Sequence, residues 1–197
     1  MVTILVTGSI GSGKTAVSRI LTESGITVYD SDSAVHSLYR EDKALRSRIS
    51  DVFGPDVLTS EGVDRAKLSG VVFSSPEKLD LLENLVYPAL LQDFRSWQNG
   101  LNTKYSAMES AIAYEKPAFK DIFDFIIFVD APDCERIARV CSRDGISAED
   151  VRRRMASQKN LAKEAADAIV RNDSGLTNLR KQVESALNSL YLQFGNK

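Results

Sequence analysis

The segment Gly8-Ser9-Ile10-Gly11-Ser12-Gly13-Lys14-Thr15 is where residue types and spacing point most directly to chemistry. It satisfies G-x-x-x-x-G-K-[ST] at every fixed position. Glycines at this spacing let main-chain N–H groups turn inward and approach phosphate oxygens closely. A helix that starts there adds the partial positive charge of its N-terminus. Lys14 is then placed to reach the β- and γ-phosphates, and the Thr15 hydroxyl to ligate Mg²⁺. Gly11, Ser12, Gly13, Lys14, Thr15 and Ala16 are the expected cradle of a nucleoside triphosphate. The competing reading is a glycine-rich turn between strand and helix that holds no ligand.

Asp30 and Asp32 form the second feature. At i, i+2 on an extended chain both side chains leave the same face. A carboxylate beside a phosphate loop can take the proton of an attacking hydroxyl. The same residues also suit the start of a helix, where one of them caps free N–H groups. The third feature is the series Arg136, Arg139, Arg143, Arg152, Arg153 and Arg154. Arg139 and Arg143 share a helix face at i, i+4, and Asp144-Gly145 then turns the chain into another helix. This pattern is expected to be a lid whose arginines neutralise charge on a transferred phosphoryl group. Arg139 and Arg143 are singled out, and the others are read as a solvated face.

A GTPase would also carry a base-reading Asn-Lys-x-Asp, which the chain lacks. Asp51-Val52-Phe53-Gly54 follows a helix rather than a strand and is read as a chance match. A transport ATPase or helicase would need a second nucleotide-binding half. The pattern fits a kinase of a small acceptor. A nucleoside monophosphate kinase and a slowly hydrolysing regulatory protein stay open on these residues alone.

These residues need elements to hold them. Val2–Thr7 reads as a buried strand, Lys14–Glu23 as a helix closed by Gly25, and Ile26–Asp30 as a second strand. Helices are expected over 31–39, 44–53, 65–73 and 77–97, with Pro88 breaking or kinking the last near Tyr87. Strands follow at 105–109, 123–130 and 168–170, helices at 133–142 and 147–159, and an amphipathic helix from Leu176 to Phe194. The alternation implies an α/β fold of the phosphate-loop NTPase type: a parallel sheet of about five strands flanked by helices. One domain is expected, its core at about 1–32, 101–135 and 160–197. A helical acceptor region spans about 33–100, and a lid about 136–159.

The chain has 197 residues and a net charge of −2, from 25 Lys and Arg against 27 Asp and Glu. It lacks the basic excess that nucleic-acid phosphates attract. No run approaches the roughly 20 apolar residues of a membrane span, and residues 1–8 do not read as a signal peptide. Cys134 and Cys141, seven apart on one helix, are read as buried apolar residues. The expectation is a cytoplasmic protein without a disulfide framework, binding neither membrane nor nucleic acid, a monomer or weak homo-oligomer.

From about Ile4 to Leu187 the chain resembles the dephospho-CoA kinase family. The resemblance is carried by Thr7 to Thr15, by Asp30-Ser31-Asp32, and by Phe53-Gly54 with Gly62, Arg65, Leu68 and Val72-Phe73. Leu82-Glu83, Val86-Tyr87-Pro88, Arg139, Arg143-Asp144, Arg154, Gln158 and Ala166-Asp167 through Asn172 complete it, in the family's order and spacing. Two departures stand out. The family's Pro-Leu-Leu is Ala111-Ile112-Ala113 between Glu109-Ser110 and Tyr114-Glu115, and Tyr87 replaces a histidine. The resemblance implies ATP-dependent phosphorylation of the ribose 3′-hydroxyl of dephospho-CoA, giving CoA and ADP. It implies Asp32 as base, with Asp30 orienting it or the metal shell. Arg65 and Tyr87 would face the acceptor, Glu109 would join Thr15 in the magnesium shell, and Glu115 would lie at the acceptor site.

Overall fold

Val2–Thr7 (β1) is buried at five of its six positions, and the rest of the sheet is built on it. In the computed structural model, which describes residues 1–156, 158 and 161–195, β1 leads into α1 (Lys14–Glu23), β2 (Thr27–Asp30), α2 (Ser31–Glu41) and α3 (Lys43–Phe53). The hairpin β3 (Leu58–Thr59) and β4 (Gly62–Val63) follows, then α4 (Arg65–Val72), α5 (Pro76–Asn99), β5 (Tyr105–Glu109) and β6 (Phe125–Asp130). The chain continues with α6 (Asp133–Asp144), α7 (Ala148–Ala156), β7 (Ala168–Arg171) and α8 (Leu176–Phe194). Two compact units result: Met1–Tyr29 with Thr103–Lys197, and Asp30–Asn102.

The first unit holds a sheet of order β2-β5-β1-β6-β7. β1 runs parallel to β5 and to β6, and β6 parallel to β7. The strands are apolar almost throughout because helices cover both faces of such a sheet. On one face Ile4, Val6, Ile127 and Val129 pack with Val17 and Leu21 of α1 and Leu179, Val183 and Leu190 of α8. Each such side chain contributes about 1.5–3 kcal/mol by leaving water. This packing fixes where β1 ends, and so where Gly8 begins the phosphate loop.

The second unit packs Leu45 and Ile49 of α3, Leu68 and Val72 of α4, and Val86 of α5 into a core of its own. α2 adds Val35, Leu38 and Tyr39 to that core's edge.

Several expectations shift. α5 runs unbroken through Pro88. A proline inside a helix forfeits one hydrogen bond, here to the Asn84 carbonyl, but the burial of Val86, Leu90 and Phe94 around it holds the helix together. The region read as helical also contains the β3–β4 hairpin, in the gap between the helices expected at 44–53 and 65–73. β6 starts at Phe125 rather than Phe123, because the Asp124 carboxylate accepts the Thr3 N–H at 2.8 Å and its N–H donates to the Thr3 carbonyl. α7 starts after Ser147, whose hydroxyl accepts the Asp150 N–H at 3.1 Å. The end expected for α7, at Ser157 and Lys159, lies outside the described residues. The cysteines also differ from expectation: Cys134 is exposed and Cys141 half-buried, and both are free thiols.

Candidate functional site

The phosphate loop is shaped by residues that touch it from behind. Gly13 has φ 95° and ψ 32° and stands as N-cap of α1, with no side-chain cap and no acidic residue in the first turn. The helix therefore starts with its N–H groups uncapped by protein, the condition for anion binding. A Cβ on Gly13 would stand 2.1 Å from Asn172 Nδ2, and one on Gly11 (φ 75°) would stand 2.6 Å from the Arg136 carbonyl oxygen. Both positions demand glycine for space as well as for backbone conformation.

The loop's carbonyls have partners. Arg136 Nε donates to the Ile10 oxygen at 3.0 Å, and Arg139 Nη1 to the Gly11 and Ser12 oxygens at 3.4 and 3.3 Å. Asn172 Nδ2 donates to the Ser12 oxygen at 2.9 Å. On the N–H side, Ile10 donates to Gln158 Oε1 at 2.8 Å. Among the described residues, the Gly11 and Gly13 N–H groups donate to no protein acceptor. The Ser12 hydroxyl is buried without a partner among the described residues, as suits a loop shaped to take an anion.

Lys14 bends over the loop and donates to the Gly8 and Ser9 carbonyls at 3.1 and 3.5 Å. Thr15 Oγ1 donates to Glu109 Oε1 at 2.9 Å. The structure thus brings together the two residues expected to share a metal. Two oxygen donors, one anionic, suit a hard cation such as Mg²⁺.

The arginines sort differently from the expectation. Arg136, read as part of a solvated face, is 8% exposed and is ion-paired with Asp133 at 2.8 Å. Arg139 also pairs with Glu135 and donates to the Asn172 carbonyl at 2.9 Å. Arg143 is exposed and pairs with Asp144 at 2.6 Å, which holds that carboxyl below its usual range. Arg153 pairs with Asp150. Arg136 and Asn172 are the contributors that sequence reasoning missed. Arg136 sits three residues before Arg139, on the same helix face. Asn172 directly follows β7, at the same edge of the parallel sheet as the loop after β1.

In the helical unit, Asp30 is the N-cap of α2. Its Oδ1 accepts the Asp32 and Ser33 N–H groups at 3.0 and 3.1 Å, and its Oδ2 the Ser33 hydroxyl at 2.8 Å. The capping alternative is therefore realised at Asp30. Asp32 is exposed in the first helical turn, and its carboxylate accepts no hydrogen bond among the described residues. Tyr87 donates to Glu83 Oε1 at 3.1 Å. Burial first, then the charges of Glu83 and Asp32, push its phenol well above the ordinary tyrosine range. Burial pushes Tyr39 up to about 12, although Arg65 nearby pulls it back in part. Tyr39, Tyr87, Glu83, Asp32 and Arg65 thus form one electrostatic neighbourhood, drawn from α2, α4 and α5.

Glu115 lies in a 3₁₀ turn, Ala113–Glu115, and lines a pocket of about 580 Å³ with Lys116, Phe119 and Phe123. No phosphate-loop residue lines that pocket.

Comparison with known proteins places this geometry in context. A family model described as dephospho-CoA kinase matches residues 2–178. A dephospho-CoA kinase from Porphyromonas gingivalis is 39% identical over 175 residues, 87% of this chain and 86% of that protein. One from Chlorobaculum tepidum is 36% identical over 197 residues, 94% of this chain and 93% of its own length. The crystal structure of TT1252 from Thermus thermophilus superposes with a TM-score of 0.83 at 29% identity, covering 96% of this chain and 97% of that one.

Proposed function

The chain belongs to the dephospho-CoA kinase family, and from that premise we propose how its residues divide the reaction. The protein is a kinase that transfers a phosphoryl group from ATP to the ribose 3′-hydroxyl of dephospho-CoA. It yields CoA and ADP, the last step of CoA biosynthesis. The observation that carries the division is the phosphate loop: its carbonyls are bonded from behind, while the Gly11 and Gly13 N–H groups and the Ser12 hydroxyl are left for an anion.

Gly11 to Ala16 hold the triphosphate of ATP. Lys14 exchanges its carbonyl partners for the β- and γ-phosphate oxygens. Thr15 and Glu109 are the residues that would hold Mg²⁺, which, when bound with the nucleotide, screens the charge of the phosphoryl oxygens. The acceptor hydroxyl attacks the γ-phosphorus as the bond to the bridging oxygen breaks, and ADP carries away the electron pair. The hydroxyl's proton passes to the Asp32 carboxylate. Asp30 fixes Asp32 by capping the turn that carries it. Arg65 offers positive charge to the acceptor, and Tyr87, neutral at working pH and donating to Glu83, offers its phenol oxygen as a hydrogen-bond acceptor. Glu115 contributes to the acceptor site through the pocket it lines. Arg143, exposed and paired with Asp144, turns to meet charge that develops on the transferred phosphoryl group. The free thiols of Cys134 and Cys141 suit a reducing cytoplasm. We read the enzyme as a monomer or weak homo-oligomer, which light scattering would check.

A coupled assay of ADP release with an acceptor panel tests the assignment. Dephospho-CoA stimulates release and AMP does not; equal stimulation by AMP would overturn it.

A further inference from the structure

The geometry points to Arg136 as a positioning residue for ATP: from behind the phosphate loop its guanidinium sets the direction of the Gly11 N–H. This deepens the kinase reading and rests on it. A peptide group is planar and trans, so its C=O and N–H point in opposite directions and cannot turn independently. The Ile10 carbonyl and the Gly11 N–H belong to the same unit. Arg136 Nε holds that carbonyl at 3.0 Å, and the hydrogen bond therefore directs the Gly11 N–H to the opposite side. The Ser12 carbonyl, held by Asn172 at 2.9 Å and Arg139 at 3.3 Å, directs the Gly13 N–H in the same way. Both of these N–H groups are without a protein acceptor among the described residues.

Three further observations separate Arg136 from a routine helix arginine. Its side chain is 9% exposed, while its ion-pair partner Asp133 is 74% exposed. The cation is thus buried against the loop, and the carboxylate is left in solvent. Its own carbonyl oxygen would lie 2.6 Å from a Cβ at Gly11, so α6 abuts the next loop residue as well. Its Nε and Nη1 serve acceptors on two different segments, the Ile10 carbonyl and the Asp133 carboxylate. A planar fork of donors can do this, and the compact ammonium of lysine cannot do it at the same geometry. The buried charge also polarises the peptide it holds, so the N–H facing the ligand becomes a stronger donor to an anion.

Three proteins decide the matter: the unaltered protein, Arg136→Met and Arg136→Lys. For each, the Kd for ATP is measured by titration calorimetry and the KM for each substrate by coupled assay. Arg136→Met is expected to weaken ATP binding about tenfold or more, the range for losing a charged hydrogen bond. The KM for dephospho-CoA should stay within about twofold. Arg136→Lys should recover less than half of the lost affinity on a logarithmic scale. ATP affinity unchanged in Arg136→Met overturns the proposal. So does an equal rise in both KM values, the mark of general loosening, and so does full recovery by lysine, which would show that charge without direction suffices. Should Arg136→Met not fold, Arg136→Lys carries the test alone, and wild-type ATP affinity in it refutes the proposal. Failure of the unaltered protein to bind ATP would instead overturn the kinase reading itself.

Discussion

On the reading proposed above, the phosphate loop and the helical unit of residues 30–102 solve the same problem, holding a substrate, by opposite means. In the loop most of the proposed binding groups are main-chain N–H groups, joined by the Lys14 side chain, and Arg136, Arg139 and Asn172 act on the carbonyl side. In the helical unit the binding groups we propose are side chains, Asp32, Arg65 and Tyr87, each brought by a different helix. Main-chain chemistry requires an almost fixed sequence, because each φ and each missing Cβ is dictated. Side-chain chemistry tolerates wide spacing, because helix packing does the gathering. The loop should accordingly be brittle to small steric changes, and the helical unit sensitive to functional groups.

The largest effect should come from Gly13→Ala. The added methyl meets Asn172 Nδ2 at 2.1 Å with φ at 95°. Backbone strain alone costs about 1–3 kcal/mol. Turnover is expected to fall by more than about 10²-fold, together with a lower melting temperature. A variant with near-normal turnover would mean the loop is not held as tightly as its contacts imply.

Next in size is Arg143→Ala. Its loss should cut kcat on the order of 10²-fold with KM nearly constant, as expected of a group that meets charge only in the transition state. Arg153→Ala, which removes an exposed pair with Asp150, should change neither. Steady-state kinetics on the two separate a lid arginine from a solvated one. A change in KM alone for Arg143→Ala would make it a ground-state phosphate contact.

A smaller effect belongs to Tyr39. Its folded pKa is raised to about 12, so ionising the phenol opposes folding. The stability it protects is complete below the unfolded tyrosine value near 10 and is lost as pH rises through about 12. Tyr39→Phe should flatten the alkaline limb of a melting-temperature profile above pH ~10 and leave the neutral region unchanged. An alkaline limb identical to that of the unaltered protein would place the sensitive group elsewhere. The smallest effect is expected at Asp30. Asparagine caps as well as aspartate, so Asp30→Asn should be close to neutral in stability, whereas Asp30→Ala should cost about 1 kcal/mol. A large loss of rate in Asp30→Asn would show that Asp30, not Asp32, is the base.

The same contrast explains what the sequence reveals. The strands flanking the loop and the helix behind it are legible to within a residue, because a buried β-branched run, a glycine and a helical period follow one another without interruption from Val2 to Gly25. Lys14, Thr15 and the glycines follow from the motif. Glu109, 94 residues beyond Thr15, emerges only from the family resemblance, since nothing local marks the end of β5 as the neighbour of α1. The Asp30–Asp32 ambiguity could not be resolved from spacing, as both residue types cap. It took the observed bonds from Asp32 N and Ser33 N to assign Asp30 to the cap. Arg136 was hidden because its burial depends on α6 packing against the loop, a tertiary fact. The helix runs unbroken through Pro88 because local propensity yields to the burial of Val86, Leu90 and Phe94.

The division of labour between loop and helical unit is tested most directly by measuring ATP Kd and single-turnover rate on Lys14→Ala and Asp32→Asn side by side. Lys14→Ala is predicted to lose ATP affinity and turnover together while keeping the melting temperature of the unaltered protein. Asp32→Asn is predicted to keep its ATP Kd within about twofold while its rate falls by on the order of 10²-fold, the low end for a base in a loose phosphoryl transfer. An Asp32→Asn protein that turns over at the normal rate, or that loses ATP affinity as Lys14→Ala does, would contradict the account.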